Sequence, residues 1–247
     1  MSLDVVDLKS FYAGALGRVA RRFLGAILHE RWPDCVGLTV VGLGYATPFL
    51  GAWREQAVRT LAFMPGEQGV ISWPKEGPNA AALVDAAMTP LPDGCVDRLL
   101  MIHALENAVD PEELLSEAWR ILSPGGRMIA IAPNRRGLWA RLDTTPFGQG
   151  RPYSRSQMRE LMRKTLFSPI YAGEALYMPP FERGLVLRTA GAFERVGAAL
   201  SLPGAGVHIV EATKQLYRPL VARARSRRTS PALEPVFAPR GRAITAP

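Results

Sequence analysis

Apolar residues recur at helical spacing over residues 4–31. Val5, Leu8, Phe11 and Tyr12 form one stripe, and Leu16, Val19, Ala20, Phe23, Leu24 and Ile27 form another. Gly14 and Gly17 lie where the segment divides into two helices, and Trp32-Pro33-Asp34 ends it. The apolar run Leu38-Thr39-Val40-Val41 then predicts a strand that enters the turn Gly42-Leu43-Gly44-Tyr45-Ala46-Thr47. A helix is expected over 48–57, with Pro48 in its first turn. Further strands are expected at 59–64, 82–85, 96–103, 128–132, 169–178 and 207–214. Between them the 3.6-residue pattern predicts helices at 111–122, 155–166 and 181–200. Asp110, Pro111 and Glu113 read as a capping box for the first of these, and Ser154 with Gln157 for the second. Pro124-Gly125-Gly126 is expected to separate the 111–122 helix from the next strand.

Strands alternating with helices imply an α/β fold: a Rossmann-like, doubly wound, mostly parallel seven-stranded sheet with helices on both faces. The length of 247 residues allows one such domain. Its expected span is 1–217, with 1–35 as an N-terminal helical cap and 133–206 as a variable region that meets substrate or partner. Residues 218–247 read as a basic tail without fixed structure, rich in Pro, Arg and Ser.

Charge changes the picture less than the total suggests. The net charge is +8, but seven arginines against Glu234 beyond residue 217 supply six of those charges, leaving +2 for the body. A nearly balanced body argues against a nucleic-acid grip, although the tail is able to attract anions nonspecifically. No apolar run is long enough to span a bilayer, and Asp4 and Asp7 replace the basic start of a signal peptide, so the chain reads as cytoplasmic. Cys35 and Cys95 form no C-x-x-C pair, and His29, His103 and His208 are far apart, so no metal site is expected.

A glycine turn after the first strand lies where doubly wound sheets bind ligands, at the carboxyl ends of the strands. G-x-G alone is a weak signal. The order of motifs is stronger. Val40-Val41-Gly42-Leu43-Gly44-Tyr45-Ala46-Thr47, then Val84-Asp85-Ala86-Ala87 with Pro90-Leu91-Pro92-Asp93, then Glu117-Ala118-Trp119-Arg120-Ile121-Leu122-Ser123-Pro124-Gly125-Gly126 occur in that sequence. Over about 36–134 this resembles the class I S-adenosylmethionine (SAM)-dependent methyltransferases, especially the type 11 branch. The resemblance implies SAM as cofactor, with Gly42, Leu43, Gly44 and Tyr45 in its loop, Met64 at the end of the second strand, and Asp85 and Ala86 beside adenine. His103 ends the fourth strand at the crevice, either as a base or as a wall residue. Asp85 either accepts from the adenine amino group or caps the next turn. Tyr45 either covers the methionine part or fills the loop, and Trp73 either stacks on adenine or packs at the surface.

The chain departs from the family pattern. Gly42 stands in place of the usual loop acid, Ala46 and Pro48 replace later glycines, and Met64-Pro65 stands where an acid usually holds the ribose, with Glu67 nearby. A dinucleotide site fits less well, since Thr47 closes the motif and no acid follows at the required distance. Two functions follow: a methyltransferase for a small molecule, an anionic one among the candidates, or a catalytically degenerate methyltransferase-fold protein that serves as a binding or regulatory subunit of a protein complex. Arg135, Arg136, Arg141 and Arg151 with Trp139, Phe147 and Tyr153 form either a substrate wall or a protein-binding surface. A nucleic-acid methyltransferase is disfavoured, because the strand end His103-Ala104-Leu105-Glu106 has no Asn-Pro-Pro run.

Overall fold

The computed structural model describes residues 4–182, 184–200 and 202–216, so the tail expected from 218 lies outside the described residues. Helices α1 (Val5–Ala13) and α2 (Ala15–Arg31) divide at Gly14. Strands β1 (Thr39–Gly44), β2 (Arg59–Pro65), β3 (Ala81–Val84), β4 (Val96–Ile102), β5 (Leu122–Pro133), β6 (Phe167–Ala175) and β7 (Val207–Lys214) form one seven-stranded sheet in the order β3-β2-β1-β4-β5-β7-β6. The first five are mutually parallel, and β7 runs antiparallel to both β5 and β6.

Alternation along the central strands sends residues to two cores. In β4, Leu100 and Ile102 pack on the face covered by α1, α2 and α6 (Gly184–Ala199). Leu99 and Met101 pack on the opposite face, against α4 (Pro111–Ile121) and α5 (Arg155–Lys164). Central strands buried on both faces read as continuous apolar runs, as Leu99–Ile102 does. Helix α2 buries Leu16, Ala20, Leu24 and Leu28 on one stripe, and each fully buried leucine contributes roughly 1.5–3 kcal/mol. Arg31 Nε and Trp32 Nε1 donate to the buried Glu211 of β7 at 2.7 and 3.1 Å, which ties the helical cap to the sheet.

Several boundaries differ from the sequence pattern, three of them with a clear physical reason. The helix expected over 48–57 is one turn, α3 (Thr47–Leu50), followed by turns. Only Phe49, Leu50 and Trp53 are buried there, while Arg54, Glu55 and Gln56 offer no apolar stripe. Pro124-Gly125-Gly126 lies inside β5 rather than before it: Leu122 pairs with Val96, the register shifts, and the ladder resumes at Arg127 opposite Arg98. Strand β6 stops at Ala175 because Leu176 takes φ +64 and its amide turns to Glu194 Oε2 at 3.1 Å. Both expected N-caps accept helix amides, and one forms the complete box. Ser154 and Gln157 form the full box, whereas Asp110 accepts from Glu112 and Glu113 amides without a return bond from Glu113 among the described residues. No helix among the described residues is long and apolar enough to cross a membrane.

Candidate functional site

The carboxyl ends of β2, β3 and β4 open into a crevice of about 590 Å³, within the range of small-molecule sites. The segments after each strand supply its walls: Glu67 and Gln68 after β2, Asp85 and Ala86 after β3, and His103 and Asn107 after β4. Asp110 and Glu113, at the start of α4, complete one side. Four carboxylates therefore face this space, and no lysine or arginine is among the described residues that line it. Such a field opposes a pyrophosphate and favours hydrogen-bond donors or a positive charge. Asp85 is exposed, and its Oδ1 accepts from the Ala87 amide at 2.9 Å, leaving Oδ2 for a ligand.

His103 is the hub between this crevice and the N-terminal cap. It is fully buried and takes φ +56, the left-handed bend that ends β4. Its Nδ1 lies 3.0 Å from Glu106 Oε1, and its Nε2 lies 2.9 Å from the hydroxyl of Tyr12 on α1. Its carbonyl accepts from Gln68 Nε2 at 3.1 Å and Asn107 Nδ2 at 3.2 Å. With both ring nitrogens engaged, the imidazole is held as a wall. Burial first, and then the charge of Glu106 and the neighbouring Tyr45, push the Tyr12 phenol well above its usual range, so it stays neutral. Burial, helped by Glu106 and opposed by Arg151, pushes Tyr153 up to about 12 while its hydroxyl donates to Leu105 at 3.0 Å.

The glycine turn is closed onto β4. The Tyr45 amide donates to the Ile102 carbonyl at 2.8 Å. Gly44 takes φ +84, and a Cβ there would strike that same carbonyl. At Gly42 a Cβ would lie 2.6 Å from the Ala46 methyl and 2.8 Å from Leu50 Cδ1, so the place of the family's loop acid is filled. Above the turn, Tyr12 stacks on Tyr45 with ring centroids 5.8 Å apart and planes at 22°, and Phe49 meets Tyr12 edge-on at 5.8 Å. Phe147 packs on His103 at 4.7 Å.

Of the residues expected at a cofactor site, Asp85, Ala86 and His103 line the crevice together. Gly42, Leu43, Gly44, Tyr45 and Met64 do not line it, and Met64 is fully buried in the core. The expected substrate wall separates as well. Trp139, Phe147 and Tyr153 are buried, whereas Arg135, Arg136, Arg141 and Arg151 are exposed and lie outside the crevice lining. Trp73 is half-buried and packs against the core beneath the cap. Sequence reasoning placed Tyr12 only on an apolar stripe. A phenol in such a stripe is the one signal that it needs a polar partner. Nothing in the pattern marked Gln68 or Asn107.

Residues 32–130 match the family described as a methyltransferase domain. The demethylmenaquinone methyltransferase of Thermus thermophilus is 32% identical over 109 residues, which cover 44% of this chain and 41% of that protein. The chain thus matches less than half the length of this relative. A SAM-dependent methyltransferase of Thermotoga maritima, described as a possible histamine N-methyltransferase, shares the fold with a TM-score of 0.58 at 18% identity, covering 85% of this chain and 96% of that one. A methyltransferase in complex with the Haloferax volcanii Trm112 activator does so with a TM-score of 0.60 at 20% identity, covering 86% and 98%. At these identities the two structures establish the fold.

Proposed function

We propose that the chain is a SAM-dependent methyltransferase whose crevice takes the adenosyl group, a reading supported by the match of residues 32–130 to the methyltransferase-domain family. The observation that carries this is the acidic, nucleoside-sized hollow at the ends of β2, β3 and β4. The adenine amino group and ribose hydroxyls are donors, and Asp85 and Glu67, which both line the crevice, offer acceptors for them. Ala86 supplies a small surface beside a flat ring. The sulfonium is a cation, which four carboxylates attract.

The adenosyl half fits the residues present; the loop that would hold the methionyl half is covered by Tyr12, which rests on Tyr45 and His103. Bound SAM would supply an already activated methyl group, so this chain need only bind, orient and exclude water. The acceptor is a small molecule. An anionic one loses its support, since the arginines stand outside the crevice. Two cysteines without a disulfide accord with a cytoplasmic setting, which is part of the same proposal.

A second reading is a binding or regulatory subunit with no turnover, and the filled space at Gly42 favours it. Titration calorimetry with adenosine, SAM and S-adenosylhomocysteine separates these. Saturable binding of adenosine and SAM, with transfer of label from methyl-labelled SAM to a small acceptor, fits the first. Adenosine binding with SAM excluded fits the second. No binding of any of the three at millimolar concentration rejects the first and leaves the second, which then requires a stable hetero-complex in a pull-down.

A further inference from the structure

A second cavity, of about 480 Å³, shares no lining residue with the crevice. It lies at the N-terminus of α5, against the start of β7 and the end of β6, and Arg136, Arg155, Arg159, Ser154, Ser156 and His208 face it. The proposed methyltransferase function uses none of these residues. From this arrangement we propose that the cavity is a binding site for a small organic anion, held through its phosphate or carboxylate group.

The argument begins with His208. In the sheet it pairs with Ala132 of β5 on one side and Glu174 of β6 on the other. It is only 4% exposed, yet its Nε2 has no hydrogen-bond partner. A buried polar atom left unpaired costs about 1–3 kcal/mol in general, so such atoms commonly await water, an ion or a ligand. Its Nδ1 lies 3.2 Å from Glu174 Oε1, which also takes Arg155 at 3.0 Å. A carboxylate only accepts, so Nδ1 carries the proton and Nε2 is left as the free atom.

The surroundings are cationic. Arg155 is spent on Glu174, but Arg136 and Arg159 pair with no carboxylate among the described residues. The first amides of α5 add the positive end of its dipole, and ten residues make this a full helix terminus. The Ser154 and Ser156 hydroxyls, 3.0 Å apart, hydrogen-bond to each other and leave one hydroxyl proton to donate. Leu202 and Pro203 form one apolar side, which suits an organic body rather than a bare ion. Arg136 was expected at a substrate wall; it stands here instead.

Charge linkage gives the site a signature. Burial holds the His208 pKa below its ordinary value, with Arg155 adding to this and Glu174 and the Tyr153 backbone opposing it. The charged groups facing it are Glu174 from β6, Arg155 and Arg159 from α5, and Arg136 from the loop after β5. An anion at Nε2 favours the protonated ring, so binding raises this pKa.

The test is proton NMR of the histidine rings on the full chain, titrated with inorganic phosphate or with succinate at constant ionic strength. The His208 signal is identified by its loss in His208→Gln. The expected result is a saturable shift of that signal, a raised pKa, and weakening by at least about tenfold in Arg159→Glu. Arg163→Glu, exposed on the same helix and paired with Glu160, is the charge control and should change affinity less than about twofold. Tighter saturation by phosphate assigns a phosphoryl ligand, and tighter saturation by succinate assigns a carboxylate. Shifts that never saturate with either, or equal losses in Arg159→Glu and Arg163→Glu, overturn the site. Both arginines are exposed, so neither variant endangers the fold.

Discussion

Removing the Tyr12 hydroxyl separates the two halves of the proposed cofactor site. Tyr12 is buried and its hydroxyl lies 2.9 Å from His103 Nε2. In Tyr12→Phe that nitrogen stays buried without a partner, at a cost of about 1–3 kcal/mol. The cost falls only on the state in which α1 is seated, because withdrawal admits water to His103. The ratio of withdrawn to seated α1 therefore rises by about 5- to 150-fold. SAM, whose methionyl part would lie at the loop Tyr12 covers, should bind tighter by up to the same factor. Adenosine uses the crevice alone, and its affinity should hold within about twofold. For a domain of this size the same cost lowers the Tm by about 2–12 °C. Calorimetric titration of both ligands, with hydrogen exchange of the α1 amides, reads all of this. SAM and adenosine affinities that move together, or a SAM affinity unchanged beside faster α1 exchange, would refute the reasoning.

Other substitutions probe separate parts of the account. Asp85→Ala should weaken adenosine by about tenfold with little change in Tm, since the side chain is exposed; an unchanged titration would remove Asp85 from the site. Gly42→Ala should destabilise by about 1–3 kcal/mol in urea unfolding, because the added methyl meets Ala46 and Leu50 at 2.6 and 2.8 Å. A neutral result there would mean that the turn is open in solution. Tyr153, pushed up to about 12, holds its proton more firmly when folded than the unfolded phenol near pH 10. Its stabilising contribution is present below about pH 10 and is lost as pH rises to about 12. Tm scans across that window should fall less steeply in Tyr153→Phe than in the parent.

Much of the fold was legible because its signals are local. Leu99–Ile102 and the stripe of α4 are repetitive enough to survive without tertiary knowledge, and Asp110 and Ser154 announce their helices by cap chemistry. The short α3 was misread because Pro48 and the apolar Phe49, Leu50 and Trp53 resemble a longer amphipathic start. The Pro-Gly-Gly segment was misread because its place in β5 depends on a register shift against β4 that no local pattern encodes. Motif order, which fixes where strand ends fall, pointed to Asp85, Ala86 and His103, and all three line the crevice. Closure of the glycine turn was not, since it arises from Tyr12, thirty-three residues before Tyr45 in the chain, and from the Ile102 carbonyl on another strand. The unpaired His208 was equally hidden, because the carboxylate beside it comes from a neighbouring strand.

A crystal structure with S-adenosylhomocysteine bound tests the central claim most directly. The adenine should lie against Asp85 and Ala86, and the 2.9 Å contact between Tyr12 and His103 should be broken. A complete ligand seated with that contact intact, or adenine found outside the crevice, would contradict it.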